Sequence, residues 1–257
     1  MTQSERLDYL VGYLIKENPR YKALTSIKEE AEKKNLLRSL MNVRAPMPIA
    51  DEFLRIQDDY LQEENRKDGV VSIDDLVPIK GQLYLYQGDI TRLKVDAIVN
   101  AANSAMLGCF IPCHSCIDNI IHSKAGIELR LECNRIMKMQ GHEEITGEAK
   151  ITKAYNLPSR FIIHTVGPIV QGKPTAQDKY LLSSCYESCL SLADKHNLRT
   201  IAFCCISTGV FHFPNELAAE IAIKTVEAYL ERTGSKIEVI FNVFKDIDRE
   251  IYQRLLG

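Results

Sequence analysis

The spacing of apolar residues changes character once along the chain. From Ser4 to about Arg66 it follows a helical period: Leu7, Leu10, Val11 and Leu14, then Leu36, Leu37, Leu40 and Met41, then Phe53, Ile56, Tyr60 and Leu61. Three helices are predicted, and Pro46 and Pro48 separate the second from the third. Helices this short are expected to need the following domain to pack against. Residues 1–70 therefore read as an N-terminal helical extension and 71–257 as the main domain, with Asn65 to Gly69 as the linker.

From Leu83 the pattern becomes strand, loop and helix in repetition. Runs at 83–87, 95–99, 149–155, 161–166, 200–205 and 236–243 are rich in Val, Ile, Phe and Tyr, as sheet strands are. Helical stretches at about 117–139, 176–196, 215–232 and 246–255 lie between or after them. This rhythm predicts the α/β class, a three-layer α/β/α domain with a mixed central sheet. Ligands in such sheets gather beyond the carboxyl ends of the strands, where the chemically suggestive loops fall.

Composition narrows the picture. A chain of 257 residues, 46% of them hydrophobic, can bury one substantial core and a smaller appendage. Its 32 basic and 34 acidic side chains are interspersed and leave a formal charge of −2, so no polybasic field points to nucleic acid or an anionic membrane. No run approaches the roughly 18 apolar residues of a membrane span. The opening MTQSERLDYL lacks a signal pattern, so a cytoplasmic location and reduced cysteines are expected. Five of the eight cysteines, Cys133, Cys185, Cys189, Cys204 and Cys205, stand in apolar stretches and read as small buried hydrophobes.

Four stretches carry candidate chemistry. In Gly88-Asp89-Ile90-Thr91, Asp89 can accept from a ligand amino group, or the motif is an ordinary turn or helix cap. Asn100-Ala101-Ala102-Asn103 offers two amides around two small residues, for a ligand or for bridging loops. Ser207, Thr208, Gly209, Val210 and Phe211 precede a helix starting near Pro214; their backbone amides suit a diphosphate, and a loop that only caps the helix is the alternative. Cys109, His114 and Cys116 are ligands of the kind zinc prefers. Three protein ligands leave one tetrahedral position open, Cys113 as a fourth would close the site, and a metal-free loop is the third possibility.

Taken in order, GDIT, VDAIVNAANS, the stretch Ile117 to Gly126, GEAKIT with Ala154-Tyr155, IIHTVGP and ISTGVFHFP resemble the signature of macrodomains, the ADP-ribose-binding fold, over about 83–256. The resemblance is to MacroD-type ADP-ribosyl hydrolases, and most closely to their zinc-dependent microbial branch. There CFIPCHSC replaces a glycine-rich loop between Leu107 and Asp118, and a helical extension precedes the domain. It implies that Asn103 and Asp118 are catalytic and that Asn100 shapes the ribose pocket. It further implies that Asp89 and the backbone at Ile90 contact adenine, that 207–211 hold the diphosphate with Phe211 near the distal ribose, and that Cys109, His114 and Cys116 bind Zn2+.

The activity implied is removal of ADP-ribose from mono-ADP-ribosylated protein. A lipoyl-carrier protein of the glycine-cleavage H type, modified by a sirtuin-class transferase, is the implied partner. An O-acetyl-ADP-ribose deacetylase and a non-catalytic ADP-ribose reader are the alternatives, and the Asp118 carboxylate, which pure binding does not require, argues against the reader. His212 stands where relatives carry Gly, which puts the backbone of that loop in question. His122, one helical turn after Asp118, is near enough to help position it, and a surface or structural histidine is the plainer reading.

Overall fold

The computed structural model describes residues 1–257. The extension contains α1 (Gln3–Glu17), α2 (Glu30–Val43) and α3 (Asp51–Lys67), with a 3-10 stretch at Pro19–Ser26. A capping box starts α1: Thr2 accepts from the Glu5 backbone N–H, and the Glu5 carboxylate accepts from that of Thr2. The predicted apolar stripes converge into one cluster that includes Leu7, Leu10, Leu37, Leu40, Phe53 and Tyr60. Ile127 is the one residue of the main domain in that cluster, so the extension has a core of its own.

The extension reaches the main domain chiefly through polar groups, where apolar packing was expected. Asn65 lies inside α3, not in a linker, and its Nδ2 donates to the backbone oxygens of Asn156 (2.8 Å) and Lys124 (3.3 Å). Helix α3 continues to Lys67 because its buried face is still making such contacts at Asn65.

A two-residue parallel pair, β1 (Val71–Ser72) with β3 (Leu93–Lys94), follows the extension and was too short to read from the sequence. The main sheet holds β2 (Leu83–Gln87), β4 (Ala97–Ala102), β5 (Ala149–Lys153), β6 (Phe161–Val166), β7 (Thr200–Phe203) and β8 (Glu238–Val243). Its order is β2-β8-β7-β4-β6-β5; all neighbours are parallel except the edge strand β5, which makes the sheet mixed. Ala97, Ile98 and Val99 of β4 are fully buried, as expected of a strand with neighbours on both sides and helices on both faces.

The helices α6 (Ala176–Lys195), α7 (Asn215–Thr233) and α8 (Asp246–Leu256) form where the apolar periodicity predicted them. The stretch read as one helix over 117–139 is two, α4 (Ile117–Ala125) and α5 (Ile127–Gln140). Gly126 divides them at φ +103, and a Cβ there would come within 2.6 Å of the Gln57 amide of α3. Glycine permits both the backbone angle and the approach of α3, whose Gln57 Oε1 caps α5 by accepting from the Ile127 N–H at 2.9 Å.

Candidate active site

The loops after β2, β4 and β7 open at one edge of the sheet, because these strands run parallel. Asp118 sits in the first turn of α4, only 5% exposed. The Asn100 amide donates to its Oδ1 at 2.8 Å and the Asn103 amide to its Oδ2 at 3.2 Å. Burial pushes the Asp118 carboxyl up to about 6, while the Asn100 bond, the Arg130 charge and the Asn103 bond pull it back. A carboxyl so placed exchanges protons near neutral pH.

Asn100 lies behind this carboxylate, with no exposed surface. Its Nδ2 also faces His164 Nδ1 at 3.1 Å, across the β4–β6 register that sets these two residues side by side. With both amide hydrogens of Asn100 donated, His164 accepts at Nδ1 and donates from Nε2 to Thr152 Oγ1 at 2.9 Å. Burial drops His164 to about 3, so its ring is neutral. Asn100 thus acts on the site through the carboxylate it orients. Asn103 is at the mouth: its Oδ1 accepts from the Ala105 N–H (3.1 Å) and its Nδ2 also donates to the Gly108 carbonyl (3.2 Å).

His122 is neither on the helix surface nor remote from the chemistry. Its ring is buried, its Nε2 is 3.6 Å from Asp118 Oδ1, and neither ring nitrogen has a hydrogen-bond partner. Burial, with His164 and Arg130 adding to it, holds His122 well below the ordinary imidazole range and therefore neutral. Gly108, at φ +78, backs onto this ring, and a Cβ there would come within 2.8 Å of it.

The Cys109 and Cys116 sulfurs and a His114 ring nitrogen lie within 4.8 Å of one another, each residue partly exposed. Tetrahedral zinc with bonds of about 2.3 Å to sulfur places its ligand atoms about 3.8 Å apart, so a slight contraction would seat the ion, and the soft donor set suits it. Cys113 is not a fourth ligand: its Sγ is 3.2 Å from Ser39 Oγ and 3.4 Å from the Asn35 carbonyl on α2. Burial, followed by the neighbouring Cys109 and Asp118, pushes the Cys116 thiol up to about 11.

Asp89 is a helix cap in this structure: its Oδ1 accepts from the Thr91 backbone N–H (2.9 Å) and hydroxyl (2.6 Å). Its Oδ2 stands 3.3 Å from Lys124 Nζ, and Ile90 beside it is buried. The 207–211 loop turns tightly, with the Phe213 N–H donating to the Ser207 carbonyl at 3.0 Å and the Val170 N–H to that of Phe211 at 2.9 Å. Ser207 is buried, with φ +64 and a hydroxyl lacking a partner; Thr208 and Phe211 are partly exposed, Gly209 and Val210 exposed.

His212 is solvent-exposed and holds φ +57, so the loop keeps a left-handed backbone without glycine. That conformation costs a non-glycine residue roughly 1–2 kcal/mol, against about 0.5–1 kcal/mol that glycine loses in chain entropy. His212→Gly is therefore expected to hold or raise stability by up to about 1 kcal/mol, and the β-branched His212→Val to lower it, as denaturant midpoints would register.

Two residues of the site had escaped notice in the sequence. Asn119, fully buried, donates to the carbonyls of Cys109 (3.3 Å) and Ile111 (2.9 Å). Arg130 on α5 donates from Nε to the Leu107 carbonyl at 2.6 Å and from its Nη1 to those of Met41, Asn42 and Arg44 at 2.6–2.9 Å. The one available signal was an arginine set three residues from both Ile127 and Cys133, apolar positions on its own side of the helix.

Residues 99–222 match the profile of the Macro domain. A protein-ADP-ribose hydrolase of Treponema medium is 54% identical over 261 residues, spanning all of both chains, extension included. A protein-ADP-ribose hydrolase of Staphylococcus aureus strain MSSA476 is 50% identical over 250 residues, 96% of this chain and 94% of that one. The crystal structure of a Trypanosoma brucei macrodomain in complex with ADP-ribose superposes with a TM-score of 0.67 at 32% identity, covering 86% of this chain and 95% of the other. The chain belongs to the macrodomain family.

Proposed function

We propose that the protein is a hydrolase that removes ADP-ribose from mono-ADP-ribosylated proteins, with a zinc ion held by Cys109, His114 and Cys116. The observation that carries the hydrolytic reading is a buried carboxylate, Asp118, gripped by Asn100 and Asn103 at the ligand edge of the sheet. Full-length similarity to two protein-ADP-ribose hydrolases supports the choice of substrate class.

Cleavage at the anomeric carbon of the ribose builds positive charge on the sugar. Asp118 stabilises that charge and takes a proton from the water that attacks the carbon as the bond to the protein side chain breaks. Asn103 holds the ribose hydroxyls so that the reacting bond faces this water. Asp89 and the backbone at Ile90 take the adenine, while Ser207 to Phe211 take the diphosphate and the distal ribose. The chemistry a bound zinc ion supplies is Lewis-acid polarisation of an oxygen ligand.

All eight cysteines are unpaired and no helix is long and apolar enough to cross a membrane, which suits the cytoplasmic location we propose. The resemblance noted in the sequence makes a lipoyl-carrier protein, modified by a sirtuin-class transferase, the substrate to test first.

Incubation with mono-ADP-ribosylated protein and, separately, with O-acetyl-ADP-ribose tests the assignment. Release of ADP-ribose from the protein is expected, with near-complete loss in chelator and in Cys109→Ala or His114→Ala variants that still fold and bind ADP-ribose. Turnover of the acetyl ester alone would move the assignment to a deacetylase, and binding without turnover to a reader. Full activity in a metal-free His114→Ala variant would remove zinc from it.

A further inference from the structure

The helical extension grips the loop that carries the three candidate metal ligands. Asn35, Arg38, Ser39 and Asn42 fall at positions i, i+3, i+4 and i+7 of α2, a polar stripe beside its apolar face of Leu36, Leu37, Leu40 and Met41. All four touch the 113–119 segment. Arg38 Nη2 donates to the His114 carbonyl (2.7 Å) and to Asn119 Oδ1 (2.8 Å). Asn42 Oδ1 accepts from the Cys113 N–H (2.9 Å), while its Nδ2 donates to Ser123 Oγ (2.9 Å). Ser39 and the Asn35 carbonyl hold the Cys113 sulfur. Asn119 passes the restraint to the other end of the loop through the Cys109 and Ile111 carbonyls.

The loop does little to hold itself. Between Cys109 and Cys116 its own bonds are His114 N–H to the Ile111 carbonyl at 3.3 Å and Cys116 N–H to His114 Nδ1 at 3.4 Å, both long. A chain closing on a metal through only three side chains pays the ordering entropy of every loose residue between them, unless something else has already fixed the backbone. The polar stripe of α2 fixes it.

We propose that α2 is a preorganising clamp for the metal centre, with Arg38 and Asn42 as positioning residues that act through His114, Cys113 and Asn119. The inference rests on the reading of Cys109, His114 and Cys116 as metal ligands and adds to it the source of their geometry. It also gives the extension a function: α2 faces the ligand loop, whereas Asp89 and 207–211 draw none of their hydrogen bonds from α2.

The test measures metal uptake by the full-length chain. Zn2+ affinity is determined by competition with a chromophoric chelator, and Co2+ substitution reports tetrahedral thiolate ligation through its visible and charge-transfer bands. Arg38→Met and Asn42→Ala are expected to weaken metal binding about 10–100-fold, as loss of groups that orient metal ligands does, with weaker cobalt bands and ADP-ribose affinity unchanged. Arg38→Lys, which keeps one donor, should retain part of the affinity and covers the case that Arg38→Met fails to fold. Lys33→Ala, at a surface pair with Asp8, is the control and should match the parent. If the parent takes up zinc and cobalt and the Arg38 and Asn42 variants do so equally well, the clamp is overturned and the metal centre stands. If the parent takes up neither ion, the metal centre falls and the clamp falls with it.

Discussion

Replacing Asp118 by Asn is expected to lower kcat/KM for ADP-ribosyl hydrolysis by about 10²–10⁴-fold, the usual worth of a positioned acid–base group, while ADP-ribose still binds. The amide fills the same volume between Asn100 and Asn103 but neither takes a proton nor carries charge. Two opposing terms act on stability. Burial raises the Asp118 carboxyl from 3.8 to about 6, which corresponds to about 3 kcal/mol of unfavourable ionisation in the folded chain. A raised folded-state value means that the folded chain binds the proton more tightly than the unfolded chain. This group's contribution to stability is therefore greatest below pH 4, is lost as pH rises through 6, and is absent at pH 7. Asn, neutral at every pH, avoids that loss, but its NH2 group meets one of the two donating amides at a cost of about 1–3 kcal/mol, so the two terms nearly cancel and its denaturant midpoint at pH 7 should lie near the parent's. The same ionisation sets the rate: kcat/KM should fall below about pH 6, where the carboxylate is protonated. A variant with parental kcat/KM, or a rate flat from pH 5 to 8, would remove Asp118 from the chemistry.

The α/β architecture was legible because its strands and helices obey different apolar periods, and β6 and α6–α8 appear within two residues of their predicted ends. What was not legible depends on contacts between distant segments. Gly126 ends α4 because Gln57, far earlier in the chain, needs the space; the local sequence alone reads as one helix. The β1–β3 pair, two residues on each side, has no period to detect. Asp118, Asn103 and the thiol–imidazole trio could be picked out because carboxylate, amide, thiol and imidazole are dense in one short segment. Arg38, Asn42, Asn119 and Arg130 could not, because each works by binding backbone carbonyls or amides that composition does not reveal. Which of its readings His122 takes is hidden for a related reason: a position four residues from Asp118 on a helix fits a surface ring as well as a buried one, and the packing of Gly108 against it decides for the buried, structural ring.

Arg130→Met should cause the largest loss of stability of any single substitution between the two parts of the chain. The guanidinium is buried and binds four backbone carbonyls at 2.6–2.9 Å: Leu107 at the start of the ligand loop, and Met41, Asn42 and Arg44 at the end of α2. These last three are among the carbonyls that a helix C-terminus leaves without intrahelical partners, so a cation there satisfies both hydrogen bonding and the helix dipole. Burial lowers Arg130 to about 10, with Asp118 and Cys109 opposing that shift, and it remains charged at neutral pH. Met fills much of the apolar volume but leaves the carbonyls unpaired, at a cost of about 3–5 kcal/mol. For a chain of this size that is a fall in Tm on the order of 10 °C. Activity measured well below the new Tm separates two roles. If Arg130 only joins the extension to the domain, kcat/KM at low temperature is near the parent's. If its charge also tunes Asp118, the acid limb of the pH profile moves up, because a cation that favours the ionised carboxyl has gone. The second result is expected, since Arg130 ranks among the groups that pull the Asp118 carboxyl down. A melting curve superimposable on the parent's would show that the four carbonyls find other partners, and that the junction does not depend on this arginine.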